Sequence, residues 1–243
     1  MQRVENNSYE FEGRVRYSEI DHRGTMTLPA LINYFQDCST FQSEAVHIGI
    51  DALKEKHRAW LLNSWQIEVT RYPDFGEEIE IGTFPYDFRG FFGLRNFFIK
   101  DSQGDYAVKA NSVWVYVNTD TGHPVKANPE DVAAYGQETR LDMEYRDRKI
   151  RIPRDRTFIS LPSFPVRRHE IDTNHHVNNS CYPLMAWEYL PEDFRCRRLQ
   201  VEYKTAAVMG DQIYPSVLEE EGVYWVVLAD EKGNPYAVVE AEE

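Results

Sequence analysis

The chain has 243 residues, long enough for one large or two small domains, each with a buried core. Its 13 Phe, 15 Tyr and 5 Trp argue against disorder, and 27 basic against 40 acidic residues, a net charge of −13, disfavour a general nucleic-acid binder. No apolar run approaches the roughly 20 residues of a membrane helix; the polar start MQRVENNSYE has no signal-type stretch, and three cysteines without metal-type spacing (Cys38, Cys181, Cys196) fit a reducing cytoplasm.

Along the chain, Leu28, Leu31, Phe35, Cys38, Phe41 and Ala45 fall at three-to-four spacing, one face of a long helix with Thr27 as cap and Pro29 in its first turn. Strand patterns follow at 60–70, 79–88, 94–100 and 106–117, with Ser102-Gln103-Gly104 as a hairpin turn. A second helix is predicted from Cys181, Leu184 and Trp187, capped by Asn179 or Ser180, with Pro183 early and Pro191 as a stop. Strand patterns return at 199–204, 212–219, 223–230 and 236–240, with Glu231-Lys232-Gly233 as a turn.

The two series are copies of one another. Glu19-Ile20-Asp21 recurs as Glu170-Ile171-Asp172, an offset of 151; Ile67-Glu68-Val69 with Gly76-Glu77 recurs as Val201-Glu202-Tyr203 with Gly210-Asp211, an offset of 134. Asp101, Gly104 and Tyr106-Ala107-Val108 recur as Asp230, Gly233 and Tyr236-Ala237-Val238. Three blocks in the same order predict a duplicated α+β fold, each half an antiparallel sheet with one long helix on it. The expected division is residues 1–125, a linker at 126–157 rich in Pro, Asn and charge, and residues 158–243. Within the linker, Arg140, Arg146, Arg148, Lys149, Arg151, Arg154 and Arg156 outnumber the acids; such a run is either a solvated face or a dock for an acidic carrier.

The densest chemistry lies at Glu170-Ile171-Asp172-Thr173-Asn174-His175-His176-Val177-Asn178-Asn179, just before the second helix. A loop at a helix start can offer amides to developing negative charge, and histidine passes protons near neutral pH. The competing reading is a capped polar turn in which Asp and Asn satisfy backbone groups. The first copy, Glu19-Ile20-Asp21-His22-Arg23-Gly24-Thr25-Met26-Thr27, keeps the Asp but has Arg23 and Thr25 where the second has Asn174 and His176. That inequality points to chemistry in the second loop alone. His169, His175 and His176 match no metal-ligand spacing of known mechanism, and Cys181 is a nucleophile only if it is not a packed core thiol. No GxSxG elbow, P-loop or GxGxxG is present.

The string Asp172-x-Asn174-x-His176-Val177-Asn178-Asn179, followed by Tyr182 and Trp187, resembles the active-site segment of acyl-acyl carrier protein thioesterases, a family of plant plastid and shorter bacterial enzymes. Asp21, Gly24, Thr25, Trp60, Arg95-Asn96-Phe97 and Ser112-Val113-Trp114 agree as well, so the resemblance spans residues 9 to 240. It implies a tandem double hotdog, each half a sheet wrapped around a long helix. It implies hydrolysis of a fatty acyl thioester on the phosphopantetheine arm of acyl carrier protein, with no cofactor, metal or nucleic acid, and it leaves room for a homodimer. By the same resemblance Asn174 and His176 polarise the carbonyl or handle protons, Asp172 orients them and helps activate water, and Val177 with the helix start lies near the oxyanion. Trp60, Phe35 and Phe41 are candidates to line the acyl tunnel. One departure stands out: Ala206 and Ala207 occupy the place where the family carries a Glu and, in plants, a Cys. Asp172 then acts alone, or Glu170 or Glu188 substitutes. The alternatives are an acyl-coenzyme A thioesterase and a hotdog that binds acyl chains without turnover.

Overall fold

The computed structural model describes residues 2–5, 7–153 and 155–243, with side chains from residue 7 onward. It divides into two compact units: Met1–Asn63 with Glu68–Tyr145, and Ser64–Ile67 with Arg146–Glu243.

The first unit holds strands β1 (Gln2–Glu5), β2 (Ser8–Arg14), β3 (Arg58–Val69, apart from Ser64–Ile67, which falls in the second unit), β4 (Glu78–Arg89), β5 (Phe92–Asp101) and β6 (Tyr106–Asn118). It also holds helices α1 (Leu28–Ala45), α2 (Ile50–Glu55) and α3 (Pro129–Tyr135). The strands run in the order β1-β2-β4-β5-β6-β3, antiparallel from β1 through β6. Thr27 starts α1 as expected, its hydroxyl accepting from the Ala30 amide at 3.3 Å. The apolar stripe of α1, with Leu31, Phe35 and Cys38 fully buried, packs on β2 and β4. Phe35 meets Phe97 of β5 with ring centroids 5.2 Å apart.

Helix α3 lies in the stretch read from the sequence as joining the halves. Asn128, Pro129, Glu130 and Asp131 are a helix-start signature. Asp131 is fully buried because three polar groups converge on it: Lys56 Nζ at 2.6 Å, the Tyr116 hydroxyl at 2.8 Å and Asn128 Nδ2 at 3.3 Å.

The second unit has β7 (Ile159–Ser160), β8 (Phe164–Pro165), β9 (Arg198–Tyr203), β10 (Gln212–Glu220), β11 (Val223–Ala229) and β12 (Pro235–Glu242), with helix α4 (Cys181–Trp187). The order is β9-β12-β11-β10, antiparallel throughout, with β7 and β8 both paired to β10. The sequence predicts a long second helix; it has only 7 residues, against 18 in α1. The chain leaves the helix ahead of Pro191, which cannot continue one and disfavours helical backbone in the residue before it. Helix α4 packs on β11 and β12 with Met185 and Ala186 inward. Among the described residues no helix is long and apolar enough to cross a membrane.

Tyr182 anchors α4 to the segment that follows β9. Its buried hydroxyl accepts from the Ala207 amide at 2.9 Å. Tyr182→Phe leaves that enclosed amide without an acceptor and should lower stability by about 1–3 kcal/mol in chemical denaturation. An unchanged unfolding midpoint would show that the bond contributes nothing.

Candidate active site

The duplication seen in the sequence is visible bond by bond. In the first loop Asp21 Oδ1 accepts from the Arg23 amide at 2.9 Å and the Thr25 amide at 3.4 Å. In the second, Asp172 Oδ1 accepts from the Asn174 amide at 2.8 Å and the His176 amide at 3.3 Å. Glu19 Oε2 takes the Arg16 amide at 2.8 Å, and Glu170 Oε2 takes the Arg167 amide at 2.6 Å. Each loop closes with an isolated antiparallel bridge, Ile20 to Met26 and Ile171 to Val177. The amides of Met26 and Val177 donate to Pro73 O and Ala207 O at 2.8 and 2.9 Å. Both loops are therefore one polar turn, and the capped-turn reading accounts for Asp172 Oδ1.

What the turn does not account for is the side chains it presents. Thr25 Oγ1 folds back on Asp21 at 3.4 Å, whereas the side chains of Asn174 and His176 are exposed. No hydrogen bond joins the side chains of Asp172, Asn174 and His176 to one another among the described residues; they share a loop of fixed backbone. Gly24 has a positive φ of 77°, the left-handed conformation that glycine takes without cost, and at the equivalent place His175 has φ 62°. A side chain held where the turn favours glycine is backbone strain confined to the second loop.

The surroundings narrow the roles. The amide of Val177 is committed to Ala207 O, and Ser180 N and Cys181 N both donate within the Asn178 turn, to Asn178 Oδ1 and Asn178 O. The amides of Val177, Ser180 and Cys181 are thus engaged, and the polar side chains remain. Ala206 is exposed and, by the antiparallel bridge of His176 with Val208, lies level with Asn178 beside the loop. Of the two substitutes, Glu170 is buried and fixed as the counterpart of Glu19, and Glu188 is exposed at the end of α4. Asp172 is the carboxylate on the loop with an oxygen, Oδ2, outside the turn. Burial pushes the Cys181 thiol up to about 11, with Glu170 adding to it, so little thiolate exists at neutral pH. His169, His175 and His176 are all exposed, and among the described residues no three metal-ligating side chains gather. Of the candidate tunnel residues, Phe35 is fully buried, Trp60 is half-buried against Tyr116 at 4.6 Å, and Phe41 is partly exposed beside Phe11 at 5.8 Å.

Residues 6–135 match the acyl-ACP thioesterase N-terminal domain, and residues 155–237 match the acyl-ACP thioesterase C-terminal domain. The chain belongs to the acyl-ACP thioesterase family. Among curated relatives it is 28% identical over 201 residues to oleoyl-acyl carrier protein thioesterase 1, chloroplastic, of Arabidopsis thaliana, covering 76% of this chain and 56% of that protein. The chain spans about half the length of the curated relatives it first matches. The acyl-ACP thioesterase of Bacteroides thetaiotaomicron shares the fold at TM-score 0.89 and 21% identity, with 98% of both chains covered. The 12:0-ACP thioesterase of Umbellularia californica does so at TM-score 0.87 and 18% identity, again over 98% of each. The two units are accordingly hotdogs in tandem, as the repeat predicts.

Proposed function

We propose that this chain hydrolyses fatty acyl thioesters carried on acyl carrier protein, releasing the fatty acid and the carrier and so ending chain elongation. The observation that carries the reading is the unequal pair of loops: one backbone, repeated bond for bond, with Asn174, His175 and His176 exposed only in the second. In this reading the side-chain amide of Asn174 (Nδ2) donates to the thioester carbonyl oxygen. Asp172 Oδ2 orients a water, whose oxygen adds to the carbonyl carbon. His176 carries the water's proton to the departing phosphopantetheine sulfur as the C–S bond breaks. Asp172 Oδ1 meanwhile holds the loop that presents all three. The three cysteines carry free thiols, which suits a cytoplasmic, reducing setting.

A carrier protein bearing many acids needs a basic patch on this acidic chain. Several of the arginines that could serve, those of the 140–156 run together with Arg195, Arg197 and Arg198, are already occupied. Arg146 bonds Glu242 at 2.5 Å and Glu240 at 3.2 Å, Arg198 bonds Glu242 at 2.5 Å, Arg156 bonds Glu220 at 2.6 Å, and Arg140 lies 4.7 Å from the Tyr145 ring. Burial alone would raise the Glu242 carboxyl, but Arg146 and Arg198 outweigh it and hold it below the usual range. Arg148 is half-buried, and Arg154 lies outside the described residues. Lys149, Arg151, Arg195 and Arg197 are exposed in the second unit and form the proposed dock. Arg195→Glu with Arg197→Glu should raise KM for acyl carrier protein several-fold, with little effect on a small acyl thioester, and the wild-type KM should rise with salt. A salt-independent KM, equal for carrier-bound and coenzyme A substrates, favours the acyl-coenzyme A thioesterase instead.

A further inference from the structure

Arg95 on β5 is a cation in an apolar interior. It keeps 8% of its surface exposed and points to the helix side of the first sheet, the side of Phe97. Nη1 donates to Gln42 Oε1 of α1 and to Thr83 Oγ1 of β4, the latter at 3.1 Å. The guanidinium carbon stands 5.4 Å from the Tyr135 ring centre and 6.0 Å from that of Phe97. Every one of these partners is neutral. Burial lowers the guanidinium to about 10, which leaves it charged at neutral pH. A buried charge with no counter-charge is costly, because neutral dipoles replace only part of its lost hydration.

The free edge of the guanidinium has a definite shape. Among the described residues no acceptor bonds Nε or Nη2, and neither atom is sealed from open space. These two nitrogens are the side-on pair of the fork, the pair that takes both oxygens of one carboxylate in parallel. The walls beside them are aromatic: Phe97 is backed by Phe35 at 5.2 Å, and Tyr135 by Phe88 at 6.3 Å. The Tyr135 hydroxyl itself is held by Ser43 at 2.9 Å. A small hydrated anion gains nothing from such walls, whereas a carboxylate on an apolar chain does.

We propose that Arg95 is the anchor of a carboxylate site inside the first unit, which binds the ionised head of a fatty acid through Nε and Nη2. The site lies in a different unit from the Asp172 loop and does not depend on thioester hydrolysis, although a fatty carboxylate is what that reaction would release. Its occupant supplies the counter-charge that the fold itself withholds from Arg95.

Calorimetric titration of the full chain with decanoate, below its micelle concentration, and with decanol, below its solubility limit, tests this without turnover. Decanoate should bind at one site about tenfold or more tighter than decanol, the difference a bidentate charge-assisted pair supplies. Arg95→Met should abolish the preference while leaving decanol binding in place. Gln42 Nε2 and Thr83 Oγ1 keep their donor bonds, to Asn7 O and Asn96 O at 2.9 Å each, but Gln42 Oε1 loses its donor, so the unfolding midpoint of the variant is measured alongside binding. Arg95→Lys retains the charge without the fork and should keep only part of the preference, a second reading should the methionine variant misfold. Equal affinity for decanoate and decanol in the wild type overturns the site. So does a preference that survives Arg95→Met, above all one lost instead in His176→Ala, which would place the carboxylate at the loop.

Discussion

Replacing His176 with Ala should cut turnover of an acyl thioester by about a hundredfold or more, the usual cost of removing a positioned acid–base group. His176 is exposed and its amide, not its ring, holds the turn to Asp172, so the thermal midpoint should stay near that of the wild type. Asp172 is a different case. Its carboxylate accepts two loop amides, so Asp172→Ala should lose about 1–2 kcal/mol of stability along with its activity. Asp172→Asn keeps an acceptor for those amides and separates the two effects: structure retained, turnover reduced. The first loop supplies the control. Asp21 makes the same two bonds, so Asp21→Ala should cost similar stability and leave turnover near wild type. Near-normal rates in both His176→Ala and Asp172→Asn would remove the second loop from the chemistry.

Phe35→Ala should be among the most destabilising single changes in the first unit, by about 3–5 kcal/mol. Phe35 has no exposed surface, sits at the centre of the buried face of α1 and packs on Phe97. Truncation removes the apolar transfer energy of a phenyl ring and leaves a cavity between helix and sheet that rigid strands on one side cannot close. A fall in the thermal midpoint on the order of 10 °C is the corresponding reading. A shift of a degree or two would mean that the helix does not rely on this contact and that the core lies elsewhere.

Most of the strand framework is legible before any coordinates. The eight long strands, β3 to β6 and β9 to β12, begin and end within two residues of their predicted bounds, because alternating side chains and the Asp-x-x-Gly turns mark both edges. Those turns fold alike: Asp101 Oδ1 takes the Gln103 and Asp105 amides, and Asp230 Oδ1 takes those of Lys232 and Asn234. Helix α1 is legible because cap, proline and an 18-residue stripe agree. Helix α4 misleads, since Cys181, Leu184 and Trp187 keep helical spacing in a segment that stops after two turns, and Leu184 is exposed. Helix α3 carried its start signal in Asn128-Pro129 and was hidden by the charge and proline around it. The two-residue strands β7 and β8 have no local signature; they exist only because β10 offers an edge.

The site divides in the same way. Asp172, Asn174 and His176 stand out in sequence because the repeat supplies a second loop to compare. That Asp172 spends one oxygen on the turn, that His175 is left-handed and that Glu170 is a buried cap depends on backbone geometry. Tertiary pairing is the least legible. Arg146 reads as a free charge in a basic run, yet it is half-buried between Glu240 and Glu242, nearly a hundred residues away. Arg95 reads as one letter of a resemblance, and only its burial shows it to be a charge without a counter-charge.

The central claim, that the second loop hydrolyses fatty acyl thioesters, is tested most directly by following free fatty acid released from purified acyl carrier protein charged with acyl chains of graded length. The account predicts steady release by the wild type, preference for the carrier over coenzyme A esters of the same chain, and loss of that release in His176→Ala. Binding of the charged carrier with no release at any chain length would contradict it and leave a hotdog that holds acyl chains without cleaving them.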